Sequence, residues 1–214
     1  MPVIPEPAKA TPDLHVIGAG GHARVIVALA QAAGYRIAGI FDDQPANPAL
    51  LLGHPVSGSV RDIPDSVDTW AVIAIGSNAV RERLAAQFRQ VQWATLIHPA
   101  AWVAPDVVVG PGSVVMAGAV LQPGVRIGTH VIVNTLAGID HDCRLDDYVH
   151  VAPGCRLAGN VHLETGVFAG VGCSFIPGVT VGPWAQLGAG AVITGALPGG
   201  VTAVGIPARP MRGR

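Results

Sequence analysis

Residues 101–196 read, in sixes, AWVAPD, VVVGPG, SVVMAG, AVLQPG, VRIGTH, VIVNTL, AGIDHD, CRLDDY, VHVAPG, CRLAGN, VHLETG, VFAGVG, CSFIPG, VTVGPW, AQLGAG and AVITGA, without an insertion. The third position is apolar throughout, from Val103, Val109 and Val115 to Leu187 and Ile193, and fourteen of the sixteen are Val, Leu or Ile. The first position is nearly always Val or a small residue. Pro-Gly recurs at 111–112, 123–124, 153–154 and 177–178, always in positions five and six, so turn chemistry keeps step with the apolar positions. Self-similarity at this period marks a β-solenoid whose stacked coils share one core. Three sixes make an 18-residue triangular coil, and the run supplies about five coils stacked roughly 4.8 Å apart.

The totals agree with that reading. Half of the 214 residues are hydrophobic and 13% are charged, yet no stretch approaches the roughly 20 uninterrupted apolar residues of a membrane helix. A net charge of −1 without a basic run argues against nucleic acid as a partner. The N-terminal MPVIPEPAKATPD carries no apolar secretory segment, which points to the cytoplasm. Cys143, Cys155 and Cys173 all take position one of a six, where a small buried thiol fits better than a metal ligand or nucleophile. No metal is expected.

Before the repeat the pattern changes. Residues 1–13 read as a loose Pro-rich leader. LHVIG (14–18) reads as a buried strand, GAGGH as a turn, residues 22–34 as a helix, and YRIAGIFDD (35–43) as a second strand. A loop runs to about 58, WAVIAIG (70–76) is a third strand, residues 77–90 a helix with Ser77 as its N-cap, and ATLIHP (94–99) a short fourth strand. Alternating strands and helices imply a small parallel βαβ sheet, half of a Rossmann-like fold, over residues 14–99. The solenoid follows over 100–196, and residues 197–214 break the sixfold register and cover its last coil.

Two sets of residues carry chemistry. His141 stands at a coil corner between Asp140 and Asp142; a histidine held by a carboxylate is suited to take a proton near neutral pH. Either aspartate fits as the orienting group on spacing alone. Gly159 lies 18 residues on, at the equivalent corner of the next coil. In the N-terminal half, Gly18 to Ala23 fit the G-x-G-x-x-G/A pattern, with Asp42 some 24 residues beyond Gly18. Exposed amides at that helix start suit a phosphate. With only one βαβ half present, a nucleotide-sugar diphosphate fits better than a whole dinucleotide.

The order of α/β domain, β-solenoid and VGIPARP tail resembles the bacterial hexapeptide-repeat sugar acyltransferases of sialic-acid and bacillosamine biosynthesis. The resemblance rests on Ile17 to Val27, Phe41 to Asp43, Ile75 to Asn78, Asn134 and Thr135, Ile139 to Cys143, and Tyr148 to Gly154. It implies a left-handed parallel β-helix and a homotrimer with the acetyl-CoA site between subunits. It implies N-acetylation of a nucleotide-linked 4-amino deoxysugar, GDP-perosamine among them, with His141 as base and Asp142 as its partner. The acetyl-CoA contacts it implies are His150, the Gly159 N–H and the backbone of Ala189. It places Gly20, Gly21 and His22 near the acceptor's phosphates or sugar, Asp42 and Asp43 near ribose or base, and Gly76, Ser77 and Asn78 along the second loop. Arg81 reads either as added charge toward phosphate or as a solvated helix residue. Acetylation of a sialic acid hydroxyl, or a trimer that binds without turnover, stand as alternatives.

Overall fold

The computed structural model describes residues 12–44 and 50–211. The expected leader lies almost wholly outside the described residues; its last residue, Asp13, already begins the first strand and pairs with Arg36. Strand β1 (Asp13–Ile17), helix α1 (Gly21–Ala32), strands β2 (Arg36–Phe41), β3 (Leu50–Leu51), β4 (His54–Gly58) and β5 (Trp70–Ile73), helix α2 (Asn78–Ala85) and strand β6 (Gln92–Trp93) follow in order. The sheet order is β3-β4-β2-β1-β5-β6, parallel except for the β3–β4 edge pair. The stretch expected as a loop to residue 58 thus contributes a hairpin, with β4 alongside β2. The helix expected to run to residue 90 ends at Ala85. From β1 the chain passes to β2 on one side and later to β5 on the other, which opens a crevice at the C-terminal ends of β1 and β5.

The solenoid starts one six earlier than expected. Its first strand is Leu96–Ile97, in the six TLIHPA (95–100), so the expected fourth strand belongs to the solenoid and the α/β sheet closes instead with β6. Two-residue strands stack in parallel with an 18-residue register, as in Val114↔Ile132 and Ile132↔His150. The three faces hold six, six and five such strands: a first face from Leu96–Ile97 to Gln186–Leu187, a second from Trp102–Val103 to Val192–Ile193, and a third from Val108–Val109 to Thr180–Val181. Positions one and three point inward and make one continuous core, including Leu121, Val133, Ile139, Leu145, Val151 and Leu163, none more than 1% exposed. Cys143, Cys155 and Cys173 are buried in that core and unpaired, and burial pushes the Cys143 thiol up to about 11, away from thiolate chemistry at neutral pH.

Corner geometry explains the Pro-Gly pattern. Position six takes the left-handed backbone conformation at every corner from Gly112 to Gly190, including the non-glycine residues His130, Leu136, Asp142, Tyr148, Asn160 and Trp184. Position five offers an N–H that the strand ladder does not use, so proline fits there at Pro105, Pro111, Pro123, Pro153, Pro177 and Pro183.

After the last coil the register breaks. Thr202–Gly205 pairs with Gln186–Leu187 at a 16-residue offset and turns back through Ala208–Pro210, extending the first face over the end of the core. The other end of that face docks on the α/β domain. Leu96, Val114, Met116 and Ile132 pack with Leu14, Val16, Ala23, Val27 and Val72 in one buried cluster, so the strands at 114, 132 and 150 are covered on both sides.

Candidate active site

His141 sits at the corner between the second and third faces. Its Nδ1 lies 2.8 Å from Asp142 Oδ2, and its backbone N–H donates to Asp140 Oδ1 at 2.8 Å. The two aspartates therefore divide: Asp142 holds the ring and Asp140 holds the turn. With the Nδ1 proton directed at Asp142, the Nε2 lone pair is free. The hydrogen bond that His141 donates to Asp142 raises the His141 pKa above its ordinary 6.5, with the charges of Asp140 and Asp142 adding to it. The His141 side chain remains 55% exposed.

Space for this pair comes from glycines one coil away on either side. A Cβ on Gly159 would overlap the imidazole at Nε2, and a Cβ on Gly124 would overlap the Asp142 carboxylate. Asp142 is in the left-handed region (φ 58°) because the coil turns there. Gly159 is buried, and its N–H has no acceptor among the described residues. At the equivalent position-five corners, Thr129, Thr135 and His141 give their N–H groups to side-chain oxygens of Asp147, Asn134 and Asp140. Gly159 and Ala189 are among those that do not. Ala189 is exposed and lies on the neighbouring corner, across the second face from that of His141. Between the two corners that face carries a shallow groove of about 310 Å³, with Gln122, Asp140, Arg156, Ser174 and Phe175 in its lining.

A second cluster lies where the two domains meet. Gly20 and Gly21 are exposed at the start of α1, which has no side-chain cap and no acidic residue in its first turn. Gly18 (φ 113°) precedes them, and a side chain there would run into Ile75 and the Ala74 carbonyl. Asp42 is committed to the protein: Oδ2 accepts the Ala19 N–H at 2.6 Å and Oδ1 the Gln44 N–H at 2.8 Å, which ties the end of β2 to the glycine turn. Asp43 accepts the Val60 N–H.

His150, 8% exposed, lies between the Gly76 carbonyl (3.2 Å from Nδ1) and Asn134 Nδ2 (3.3 Å from Nε2), with His22 stacked obliquely at 6.2 Å. Both of its ring nitrogens are engaged by the protein. Burial lowers its pKa to about 3 and that of His22 to about 4, with the Arg81 charge adding to both, so both are neutral. Asn78 turns into the solenoid and donates to the Gly166 and Val167 carbonyls. Ser77 makes no side-chain cap to α2.

Arg81 corrects the expectation of a solvated helix residue. It is 1% exposed, and its guanidinium spans Ile75, Gly76 and Asn78 on one side and the His130 and Tyr148 carbonyls on the other. A buried arginine in an otherwise amphipathic helix has no distinctive sequence signature. His130 and Tyr148, whose rings stack in parallel at 5.5 Å beside Trp93, complete this junction, a place the sequence expectations did not give them. Within one chain no hydrogen bond among the described residues joins the His141 corner to the junction cluster. No group of three or more potential metal ligands occurs among the described residues, and no helix there is long and apolar enough to cross a membrane.

Known proteins match both halves. The family described as the PglD N-terminal domain matches residues 13–88. GDP-perosamine N-acetyltransferase of Escherichia coli O157:H7 is 31% identical over 148 residues, which span 65% of this chain and 66% of that enzyme. The acetyltransferase domain of PglB from Neisseria gonorrhoeae, solved with acetyl coenzyme A, is 38% identical with a TM-score of 0.86, covering 94% of this chain and all of that one. A variant of perosamine N-acetyltransferase from Caulobacter crescentus, solved with CoA and GDP-perosamine, is 37% identical with a TM-score of 0.90, covering 95% and 99%. The structural likeness covers nearly the whole chain, and the chain belongs to the bacterial hexapeptide-repeat sugar acetyltransferases that include these PglB and perosamine enzymes.

Proposed function

We propose that the protein transfers the acetyl group of acetyl-CoA to the amino group of a nucleotide-linked 4-amino deoxysugar, with GDP-perosamine as the first candidate. The observation that carries this reading is the His141–Asp142 pair with its free Nε2 beside the unbonded Gly159 N–H. The neutral amine attacks the thioester carbonyl, forming the C–N bond. His141 Nε2 takes the proton that the nitrogen loses, and Asp142 stabilises the imidazolium. The carbonyl oxygen gains charge next to the Gly159 N–H, a single-donor oxyanion site. The C–S bond then breaks, and the imidazolium proton passes to the CoA sulfur. Ala189 and the second-face groove hold the pantetheine arm.

The acceptor lies in the crevice at the ends of β1 and β5, its diphosphate against the Gly20, Gly21 and His22 amides and the Gly76–Ser77 turn. Asp42 acts by shaping the glycine turn, and Asp43 stays exposed at the rim for ribose or base. His150 shapes the crevice floor and faces the donor. Because the crevice and His141 are separate within one chain, the complete site is formed between subunits of a homotrimer. Single-histidine variants of the Caulobacter relative hold CoA and GDP-perosamine together, which supports a histidine that serves the chemistry more than the binding. Release of CoA thiol from a panel of GDP-, UDP- and dTDP-linked 4-amino sugars, with sialic acid included, tests the reading. Turnover confined to the amino sugars is expected; turnover of sialic acid alone would replace it with hydroxyl acetylation.

A further inference from the structure

In a trans peptide the N–H and C=O point in opposite directions. In the turn after β5, the Ile75 and Gly76 carbonyls both accept from Arg81 Nη1, at 3.2 and 3.0 Å. The N–H groups of those same two peptide units, on Gly76 and Ser77, therefore face away from Arg81. Neither has an acceptor among the described residues; Gly76 is half-buried and Ser77 exposed. The remaining Arg81 donors reach the His130 carbonyl (3.0 Å), Asn78 Oδ1 (2.9 Å) and the Tyr148 carbonyl (2.8 Å). No carboxylate pairs with this buried charge among the described residues. Burying a cation without a counter-ion is costly, and here carbonyl dipoles alone offset it.

We propose that Arg81 is a positioning residue for the acceptor's diphosphate: it fixes and polarises the Gly76 and Ser77 amides so that they donate into the crevice, without touching the ligand. This rests on the reading that a nucleotide sugar occupies that crevice. The cation sits behind two peptide units of a turn that packs against the glycine turn, where a side chain on Gly18 would meet Ile75, and the Gly20 and Gly21 N–H groups likewise have no acceptor among the described residues. Its anchors on two successive coil corners hold the turn at a fixed height on the solenoid. Lysine would keep the charge but not the planar fork that reaches both sides.

The test measures binding of GDP, UDP and dTDP, and separately of CoA, to the wild type, Arg81→Met and Arg81→Lys, with acceptor and donor KM for the turned-over substrate. Loss of two polarised donors is expected to weaken nucleoside diphosphate binding about tenfold in Arg81→Met and about threefold in Arg81→Lys. Acceptor KM should rise with it, while kcat stays within about threefold and CoA affinity within about twofold. Ile132→Ala, in the core shared by the two domains, loosens their docking without touching the turn. It should lower Tm and leave diphosphate affinity within about twofold. Unchanged diphosphate binding in Arg81→Met, or in Arg81→Lys if the Met variant does not fold, overturns the proposal, as does an equal loss in Ile132→Ala. A wild type that binds none of the three diphosphates overturns the crevice reading together with it.

Discussion

At the scale of single residues, the site is a histidine whose surroundings have been cleared. Gly124 and Gly159 are the two places where an added methyl would strike the His141–Asp142 pair. Gly159→Ala should displace the imidazole and lower kcat/KM by about a hundredfold, the scale of general base catalysis, with only a small change in Tm. Retained activity with a displaced ring in a crystal structure would break the link. The His141 pKa, raised by Asp142, sets the acid limb of the pH profile: only the neutral ring accepts a proton, so kcat/KM falls as pH drops through a value above 6.5. In Asp142→Asn the limb should move to lower pH while the plateau falls about a hundredfold. A limb that stays in place would assign it to another group. In the sequence, His141 stood out by its two flanking aspartates and by the family resemblance, the 18-residue period set Gly159 at the equivalent corner, and spacing left Asp140 and Asp142 open where the resemblance favoured Asp142. The side-chain geometry, Nδ1 to Asp142 and N–H to Asp140, gives each aspartate a separate role.

At the scale of elements, the junction between α2 and the first solenoid face holds neutral histidines in a buried cationic field. Burial and the Arg81 charge lower His130 to about 4 and His150 to about 3, whereas an unfolded histidine titrates near 6.5. The folded state therefore binds fewer protons than the unfolded state below pH 6.5. The stability these residues contribute is present above that pH and is lost as pH falls toward 4, at up to about 1.4 kcal/mol per pH unit for each. The Tm of the wild type should drop across this window, and His130→Phe should flatten the drop if it folds; the same slope in that variant would exclude His130 as a contributor.

This junction shows where sequence reading stopped. The inward positions one and three were legible because their period is unbroken. The outward position two carries the docking information as Leu96, Val114, Ile132 and His150, buried on one face only, against Arg126 and Arg144 exposed on the third face. Sorting position two by face exposes that contrast, whereas reading it in a single row hides it. The β3–β4 hairpin was missed because its strands are short and its Pro and Gly content reads as loop.

At the scale of the whole molecule, the two halves of the proposed site lie on different parts of one chain, and the second face leaves Trp102 half exposed beside a groove. The proposed trimer would account for both. Sedimentation should give three copies, and mixing two inactive variants, His141→Asn and a crevice variant such as Gly21→Asp, should restore part of the activity once subunits exchange. A monomer, or mixed trimers without recovery, would mean that one chain supplies the whole site.

The most direct measurement is CoA thiol release by the wild type and by His141→Asn, with GDP-perosamine and acetyl-CoA at saturation and binding of both ligands checked separately. The account predicts turnover in the wild type, and in the variant a kcat lower by about two to four orders of magnitude with both ligands still bound. Equal turnover by the two proteins would contradict it.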